Sequence, residues 1–162
     1  MAIGQGSMLV TPLQVARMAA AVANGGRLVQ PHLVRRDDAS GEERVGVPAA
    51  ALTAVRAGLT AVVNDPTSTA YAAAHLADVA IAGKTGTVQV VARTGVPNNT
   101  LPYELRNHAW FASFAPAADP RLVVVVFVEH GGAGSSGAAP IAKSLYEAYY
   151  RADPDSELAW RL

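Results

Sequence analysis

The residues of this sequence with the clearest chemical potential are Lys84, Thr85 and Gly86, at the head of a run of strand-forming residues that continues to Val91. On a β-strand, the side chains of Lys84 and Gly86 face one side, and those of Thr85 and Thr87 face the other. An ammonium, a hydroxyl and a stretch of backbone left bare by glycine suit a peptide-like ligand that carries a carboxylate and binds as an added strand. The pattern therefore predicts a ligand site at the edge of a sheet.

Two other interpretations of the triplet were weighed. A Lys-Thr-Gly triplet is common, and most such triplets are solvated turn residues. Gly83-Lys84-Thr85 also matches the end of a phosphate-binding loop, but that motif requires glycine at position 78, where this chain has Asp78. Because an acid there would repel phosphate, the nucleotide-binding interpretation is set aside.

Composition narrows the class of protein. The chain has 162 residues, of which 51% are hydrophobic and 16% charged, with a formal net charge of +0. This size and composition predict one globular domain or part of a larger one. Nothing in the charge balance favours nucleic acid as a partner. The absence of cysteine excludes thiolate catalysis and disulfides.

No metal, cofactor or membrane-spanning segment is expected within these residues. The four histidines, His32, His75, His108 and His130, lack metal-binding spacing with one another or with an acid. His108 is therefore interpreted as a structural histidine. No apolar run reaches the roughly 18 to 20 residues that span a bilayer. Residues 1–10 do not resemble a signal peptide, so the chain is expected to start midway through a larger protein.

Local patterns predict three main helices. Thr11, Pro12 and Gln14 supply a hydroxyl cap, a first-turn proline and a capping-box glutamine, and Asn24-Gly25-Gly26 ends the helix. This helix is apolar nearly all round, which predicts a buried central position. A second helix is expected over residues 49–63, and a closing helix over 138–151 with Ile141, Leu145 and Tyr149 on one face.

Three strands are expected at Thr85–Val91, residues 108–114 and residues 121–129. The last is apolar on both faces, which predicts the centre of a covered sheet. Residues 35–44 are expected to be a solvated charged loop and 92–107 a longer connection. Residues 131–137 form either a flexible link or, less favoured, an anion-binding loop. Short links between successive strands favour an α+β fold, an antiparallel sheet covered by helices.

The order of several short motifs resembles the C-terminal half of a transpeptidase domain of the penicillin-binding protein family. The resemblance covers residues 2–150 and is closest to the class B, cell-elongation type. It implies a partial serine β-lactamase-like fold, with the domain at 1–152 and a tail at 153–162. The matching motifs are Ala2-Ile3-Gly4-Gln5-Gly6, Thr11-Pro12-Leu13-Gln14, Asn24-Gly25-Gly26, Lys84-Thr85-Gly86-Thr87, His108-Ala109-Trp110-Phe111, Phe114-Ala115-Pro116 and the loop and helix start at 131–142.

The resemblance also implies an activity and a location. Members of the family are serine acyltransferases that cross-link peptidoglycan stem peptides ending in D-Ala-D-Ala, and β-lactams acylate them. They work at the extracytoplasmic face of the bacterial cell membrane, so a membrane anchor is expected only in a missing N-terminal part. No cofactor is implied.

Site roles follow from the same resemblance, residue by residue. Lys84 would place positive charge beside the carboxylate of the substrate or drug and keep the proton network poised. Thr85 would donate its hydroxyl to that carboxylate. Gly86 would let the ligand lie close to the strand, and the backbone amide of Thr87 would donate to the oxyanion. Lys84 and Thr87 are thus the candidate catalytic residues, and Lys84 to Thr87 the candidate substrate-binding residues.

The chain departs from the family in one large respect. None of its serines is followed by lysine at the third place, and no Ser-x-Asn occurs. In the family these motifs supply the nucleophile, the base and a proton-transfer group. They would lie upstream of Met1, so this chain is expected to carry one wall of the active site and to be inactive alone. The alternative is a non-catalytic module that binds a peptide or penicillin along the Lys84 strand.

Overall fold

The computed structural model describes residues 8–34, 43–91 and 95–152. The first motif of the resemblance, at residues 2–6, and the predicted tail at 153–162 lie outside the described residues, as do residues 35–42 of the predicted charged loop. The helices are Pro12–Ala23 (α1), Ala49–Asn64 (α2), Tyr71–Ala74 (α3) and Ala139–Arg151 (α4). The strands are Arg27–Leu28 (β1), Glu43–Arg44 (β2), Ala82–Val88 (β3), His108–Ala115 (β4) and Leu122–Val128 (β5).

Within the described residues, the main sheet consists of three antiparallel strands in the order β3-β4-β5. The central strand is therefore β4, and the prediction that residues 121–129 occupy the centre is wrong. Apolar side chains on both faces of β5 reflect helices above and below the strand rather than strands on both sides of it. Each of the three strands pairs antiparallel with the next one along the chain, which places the middle one at the centre. β3 both begins and ends earlier than the predicted run Thr85–Val91.

Helices cover both faces of this sheet, as the predicted α+β fold class requires. On one face, Phe111 and Val126 pack with Tyr146 of α4 in a continuous core. On the opposite face, Phe114 packs with Ala23 of α1. A second, two-stranded ribbon pairs β1 with β2, so the end of the predicted charged loop is a short strand instead.

α4 turns a face of small residues toward the sheet. Ala139, Ala142 and Tyr146 are fully buried, whereas Ile141 is 46% exposed and Leu145 is 50% exposed. The apolar stripe predicted on this helix is thus not the face that meets the sheet. Alanines allow the helix to approach the strands closely, and the single large ring of Tyr146 fills the remaining space.

α1 begins with the predicted capping box. The Oγ1 of Thr11 accepts a hydrogen bond from the backbone N–H of Gln14 (3.2 Å), and the Oε1 of Gln14 accepts one from the backbone N–H of Thr11 (2.8 Å). The helix ends at Ala23 and is capped by Asn24, which is followed by Gly25 with a positive φ of 80°. The predicted burial on all sides is wrong, because Leu13 and Met18 are each 58% exposed. A helix is buried only where another element packs on it, and the described elements leave this side uncovered.

Loss of the Thr11 cap should destabilise the protein measurably. Thr11→Ala removes the acceptor for the Gln14 N–H, and we expect the free energy of unfolding to fall by about 1 kcal/mol in a urea titration. Thr11→Ser keeps a hydroxyl at the same place and should lose much less. Equal losses in the two variants would show that the cap is not what stabilises this end of α1.

α2 fixes the start of β3 against the rest of the sheet. The Nδ2 of Asn64, its last residue, donates to the carbonyl oxygen of Ile81 (2.8 Å), immediately before β3. In the middle of α2, the Nη2 of Arg56 donates to the carbonyl oxygen of Ala117 (2.9 Å) between β4 and β5. The beginning of β3 is therefore anchored and buried, while the strand becomes exposed from Lys84 onward.

None of the helices in the described ranges combines the length and the apolar character needed to cross a bilayer.

Candidate functional site

The candidate site lies along the second half of β3. Lys84 and Thr87 are exposed and Thr85 and Gly86 are half-buried. The register with β4 places Gly86 opposite Trp110. The predicted alternation of side chains is confirmed, because Gly86 opens toward the Trp110 side chain while the hydroxyl of Thr87 meets a loop on the other face.

The outer edge of β3 presents backbone groups of Thr85 and Thr87. The Nζ of Lys84 donates to the Thr85 carbonyl oxygen (2.8 Å). On the inner edge, the amide nitrogen of Gly86 and the carbonyl oxygen of Trp110 both lie close to the position that a Cβ on Gly134 would take. The two groups therefore lie near each other, as the hydrogen-bonded groups of paired strands do. Backbone groups alternate between the two edges with a period of two residues. This indicates that the amides of Thr85 and Thr87 point away from β4.

Among the described strands, β3 has β4 as its one neighbour. Its outer edge can therefore accept an extended peptide as an added strand. The ammonium of Lys84 and the hydroxyl of Thr85 lie next to that edge on opposite faces. A carboxylate at the end of such a peptide would find a charged donor in the Lys84 ammonium and a neutral donor in the Thr85 hydroxyl. The charge-assisted hydrogen bond is the stronger of the two.

Gly134 supports β3 from the face opposite Lys84. It begins a π-helical turn, Gly134–Ala138, that leads directly into α4. A Cβ on Gly134 would lie 2.5 Å from the carbonyl oxygen of Gly86, which is closer than real Cβ atoms come to backbone. The N–H of Gly134 donates to the Oγ1 of Thr87 (3.3 Å). The loop predicted as a flexible link is therefore packed flat against the strand that carries the triplet.

Aromatic side chains flank the triplet on the Lys84 face. A Cβ on Gly86 would lie 3.1 Å from the Cβ of Trp110, so the glycine leaves room for the tryptophan as well as for a ligand. The ring of Phe127 on β5 lies next to Trp110, with ring centroids 4.6 Å apart, and Phe127 remains 38% exposed. This gives the site an aromatic wall beside its cation.

The connection from β3 to β4 is more ordered than a simple loop in its described part, residues 95–107. It contains two 3₁₀ turns, Asn98–Thr100 and Tyr103–Leu105. The Oδ1 of Asn98 accepts a hydrogen bond from the N–H of Asn107 (2.7 Å). The carbonyl oxygen of Asn107 in turn accepts one from the N–H of Gly132 (2.9 Å), which ties this connection to the loop after β5.

The structure brings together Lys84, Thr85, Gly86 and Thr87 as predicted, and their chemical roles stay predictions. Gly134 and Trp110 were not predicted as part of the site. The sequence did contain a signal for the first, since closely spaced glycines before a helix allow backbone to lie on backbone. Within the described ranges, no three His, Asp or Glu side chains lie close enough together to hold a metal ion.

A helix-covered antiparallel sheet with Lys-Thr-Gly on its edge strand defines part of the penicillin-binding, serine β-lactamase-like fold. The chain belongs to the family of penicillin-binding protein transpeptidase domains, whose family model matches residues 1–147. The resemblance and the fold class predicted from the sequence are thereby confirmed. The division into a domain at 1–152 and a tail at 153–162 stays a prediction.

Similar proteins support this assignment over most of the chain. The peptidoglycan D,D-transpeptidase MrdA of Haemophilus influenzae is 38% identical over 160 residues, covering 91% of this chain and 25% of the relative. The penicillin-binding protein PBP2 of Helicobacter pylori, solved in complex with MreC, is 31% identical with a TM-score of 0.80, covering 94% of this chain and 27% of that one.

A third similar structure is penicillin-binding protein A of Mycobacterium tuberculosis, solved as a ceftriaxone acyl-enzyme complex. It is 31% identical with a TM-score of 0.70, covering 90% of this chain and 34% of that one. The chain thus spans between a quarter and about a third of the length of these proteins.

Proposed function

We propose that these 162 residues form one wall of the active site of a peptidoglycan D,D-transpeptidase of the class B, elongation type. The observation that carries the proposal is the exposed edge of β3, where Lys84, Thr85 and the outward amide of Thr87 line one ligand path. The family of the chain and the activity in the names of its relatives support the same reaction.

The proposed substrate is a stem peptide that ends in D-Ala-D-Ala and lies along β3 as an added strand. A serine oxygen attacks the carbonyl carbon of the penultimate D-Ala, and the terminal D-Ala leaves with a proton, which creates an ester. An amine of a second stem peptide then attacks the ester, forms the cross-link and returns the serine hydroxyl. A β-lactam would acylate the same serine.

The residues of this chain serve binding and charge stabilisation in both steps. Lys84 and Thr85 hold the carboxylate of the peptide or drug. The Thr87 amide donates to the oxygen that becomes negative in the tetrahedral intermediate, an interaction worth about 3 kcal/mol in comparable sites. Trp110 and Phe127 limit the ligand on the Lys84 face.

The serine itself is proposed to come from chain outside these 162 residues, because no Ser-x-x-Lys or Ser-x-Asn motif occurs within them. The activity is proposed to take place at the extracytoplasmic face of the cell membrane, where stem peptides are cross-linked. An anchor would belong to the chain outside these residues.

Penicillin labelling tests the proposal. Intact-mass measurement of this chain after incubation with benzylpenicillin should show no covalent adduct. The same residues joined to a segment carrying both serine motifs should gain the mass of one drug molecule. An adduct on the 162-residue chain alone would contradict the missing nucleophile, and no adduct on the longer protein would contradict the transpeptidase assignment.

Lys84→Ala should slow acylation of that longer protein by about a hundredfold, because a charge-assisted hydrogen bond to the drug carboxylate is lost. The chain provides a matched control in Lys143, its only other lysine, which lies on α4. Lys143→Ala removes the same charge away from β3 and should leave the acylation rate unchanged. Similar slowing in both variants would show that net charge, rather than the position of Lys84, is responsible.

A further inference from the structure

His130 has an unusual backbone conformation immediately before the loop that supports β3. Its φ is 54°, which makes it the one non-glycine residue with positive φ in the described ranges. Histidine is among the residues that adopt this left-handed conformation more often than most. Its side chain is only 14% exposed. A largely covered residue in this conformation needs contacts that hold it there.

Two hydrogen bonds and two rings supply those contacts. The backbone N–H of His130 donates to the Nδ1 of His108 (2.9 Å), and the Nδ1 of His130 bonds to the carbonyl oxygen of Arg106 (3.1 Å). The His130 ring contacts the ring of His108, with centroids 4.7 Å apart, and that of Tyr103, with centroids 4.8 Å apart. The neighbouring Glu129 carboxylate lies 3.9 Å from the His130 Nε2.

These bonds assign the protons on both rings. A backbone N–H can only donate, so the Nδ1 of His108 is an acceptor and carries no proton. A carbonyl oxygen can only accept, so the Nδ1 of His130 carries one. The hydrogen bond from the His130 N–H to His108 can therefore form only when His108 is unprotonated at Nδ1.

The turn fixed in this way leads directly to the site. Two residues after His130, the N–H of Gly132 donates a hydrogen bond to the Asn107 carbonyl oxygen. Gly134 then lies on the backbone of Gly86 and donates its N–H to Thr87. A continuous set of contacts thus runs from His108 through His130 to the residues proposed to bind the ligand.

We infer that His108 and His130 are a pair of positioning residues that set the place of Gly134 against β3, and with it the geometry of the Thr85–Thr87 edge. The importance of this pair for acylation rests on the proposed function. Neither histidine is among the residues proposed to bind the ligand. Their contribution is to select one conformation of the loop. Without these contacts, a glycine-rich loop would sample many conformations.

Isotope labelling tests the proton assignment directly on the 162-residue chain. It has four histidines, so selective ¹⁵N-histidine labelling gives few NMR signals. We expect one histidine, identified by its loss in His108→Phe, to show the chemical shift of an unprotonated Nδ1. A protonated Nδ1 at His108 near neutral pH would overturn the inference, because the bond from His130 could not form.

Hydrogen exchange tests the positioning. His108→Phe keeps an aromatic ring but removes the acceptor, and His108→Asn places an amide oxygen where Nδ1 lies. The His130 amide should exchange about tenfold faster in His108→Phe, the ratio expected for loss of one hydrogen bond of ordinary strength. Peptides that contain Thr87 and Gly134 should also exchange faster. His108→Asn should restore protection at all three places.

The outcomes separate this inference from the proposed function. Unchanged exchange at Thr87 and Gly134 in His108→Phe would overturn the positioning role, as would failure of His108→Asn to rescue it. Equal acceleration at Val63 or Val124, in the core, would show general unfolding and would also overturn it. The transpeptidase assignment is tested separately by penicillin labelling of the serine-containing protein with both histidines intact.

Discussion

Replacing Gly134 with alanine is expected to lower the free energy of unfolding by about 3 kcal/mol, near the upper end of the usual cost of overpacking. The added methyl group would meet the backbone of Gly86 and the carbonyl oxygen of Trp110, and it would lie 2.8 Å from the Gly86 amide nitrogen. Backbone atoms in a sheet cannot rotate away as the end of a flexible side chain can. The π-helical turn must therefore lift from β3, and the bond from Gly134 to Thr87 must lengthen or break.

A urea titration measures this loss, and hydrogen exchange across β3 locates it. Gly58→Ala is the matched control, since Gly58 lies on the exposed side of α2 and a Cβ there would meet nothing within 4 Å. That substitution should stabilise the protein by about 0.5 to 1 kcal/mol, because alanine favours a helix over glycine. If the two variants unfolded alike, the packing of Gly134 on β3 would not be tight.

Truncation of Tyr146 is the second change with a large expected effect. Its side chain is fully buried, and its hydroxyl donates to the Oγ of Ser113 (3.0 Å). The Ser113 hydroxyl in turn donates to the carbonyl oxygen of Val124 (2.9 Å), which links α4 to β4 and β5. Tyr146→Ala should cost about 4 kcal/mol, since it removes an aromatic ring from a packed core and leaves a cavity. Tyr146→Phe should cost about 1 kcal/mol, the value of the hydrogen bond alone.

The same residue predicts how stability depends on alkaline pH. Burial raises the pKa of Tyr146 well above its ordinary value of 10.0, and the bond with Ser113 offsets only part of that effect. The unfolded chain therefore releases this proton at a lower pH than the folded one. The contribution of Tyr146 is fully present below about pH 10 and is lost as the pH rises further.

Urea titrations of the parent chain and of Tyr146→Phe at a series of pH values test this. The difference in unfolding free energy between the two should be constant up to about pH 9 and should shrink, then change sign, at higher pH. Phenylalanine cannot ionise, so the comparison isolates the ionisation of Tyr146. The other tyrosines are present in both proteins, and their contributions cancel. A constant difference through pH 11 would mean that the folded and unfolded states release the Tyr146 proton at a similar pH.

The sequence was sufficient for features that depend on neighbours along the chain. The cap of α1 follows from Thr11, Pro12 and Gln14, which lie within one turn of each other. The direction of each side chain in the triplet follows from the two-residue period of a strand. The motif order also identified the family, because a match of several short motifs in order is far more specific than a match of any one of them.

The burial of whole elements could not be predicted in the same way. Leu13 and Met18 make α1 apolar all round, yet they stay exposed because burial depends on which elements pack outside the helix. Likewise, the apolar faces of β5 indicated helices on both sides but not that β4 would be the central strand. Such features depend on contacts between residues far apart in sequence, which periodicity does not record.

By itself, the sequence determined the family, the helix-covered antiparallel sheet and the strand that carries Lys84 to Thr87. Only the tertiary structure showed that Gly134 lies on the backbone of Gly86 and that His130 is held by His108. The physical reason is that close packing of backbone on backbone and a left-handed turn are set by three-dimensional proximity. Glycines and histidines permit both arrangements, but their positions in the sequence do not specify the partners.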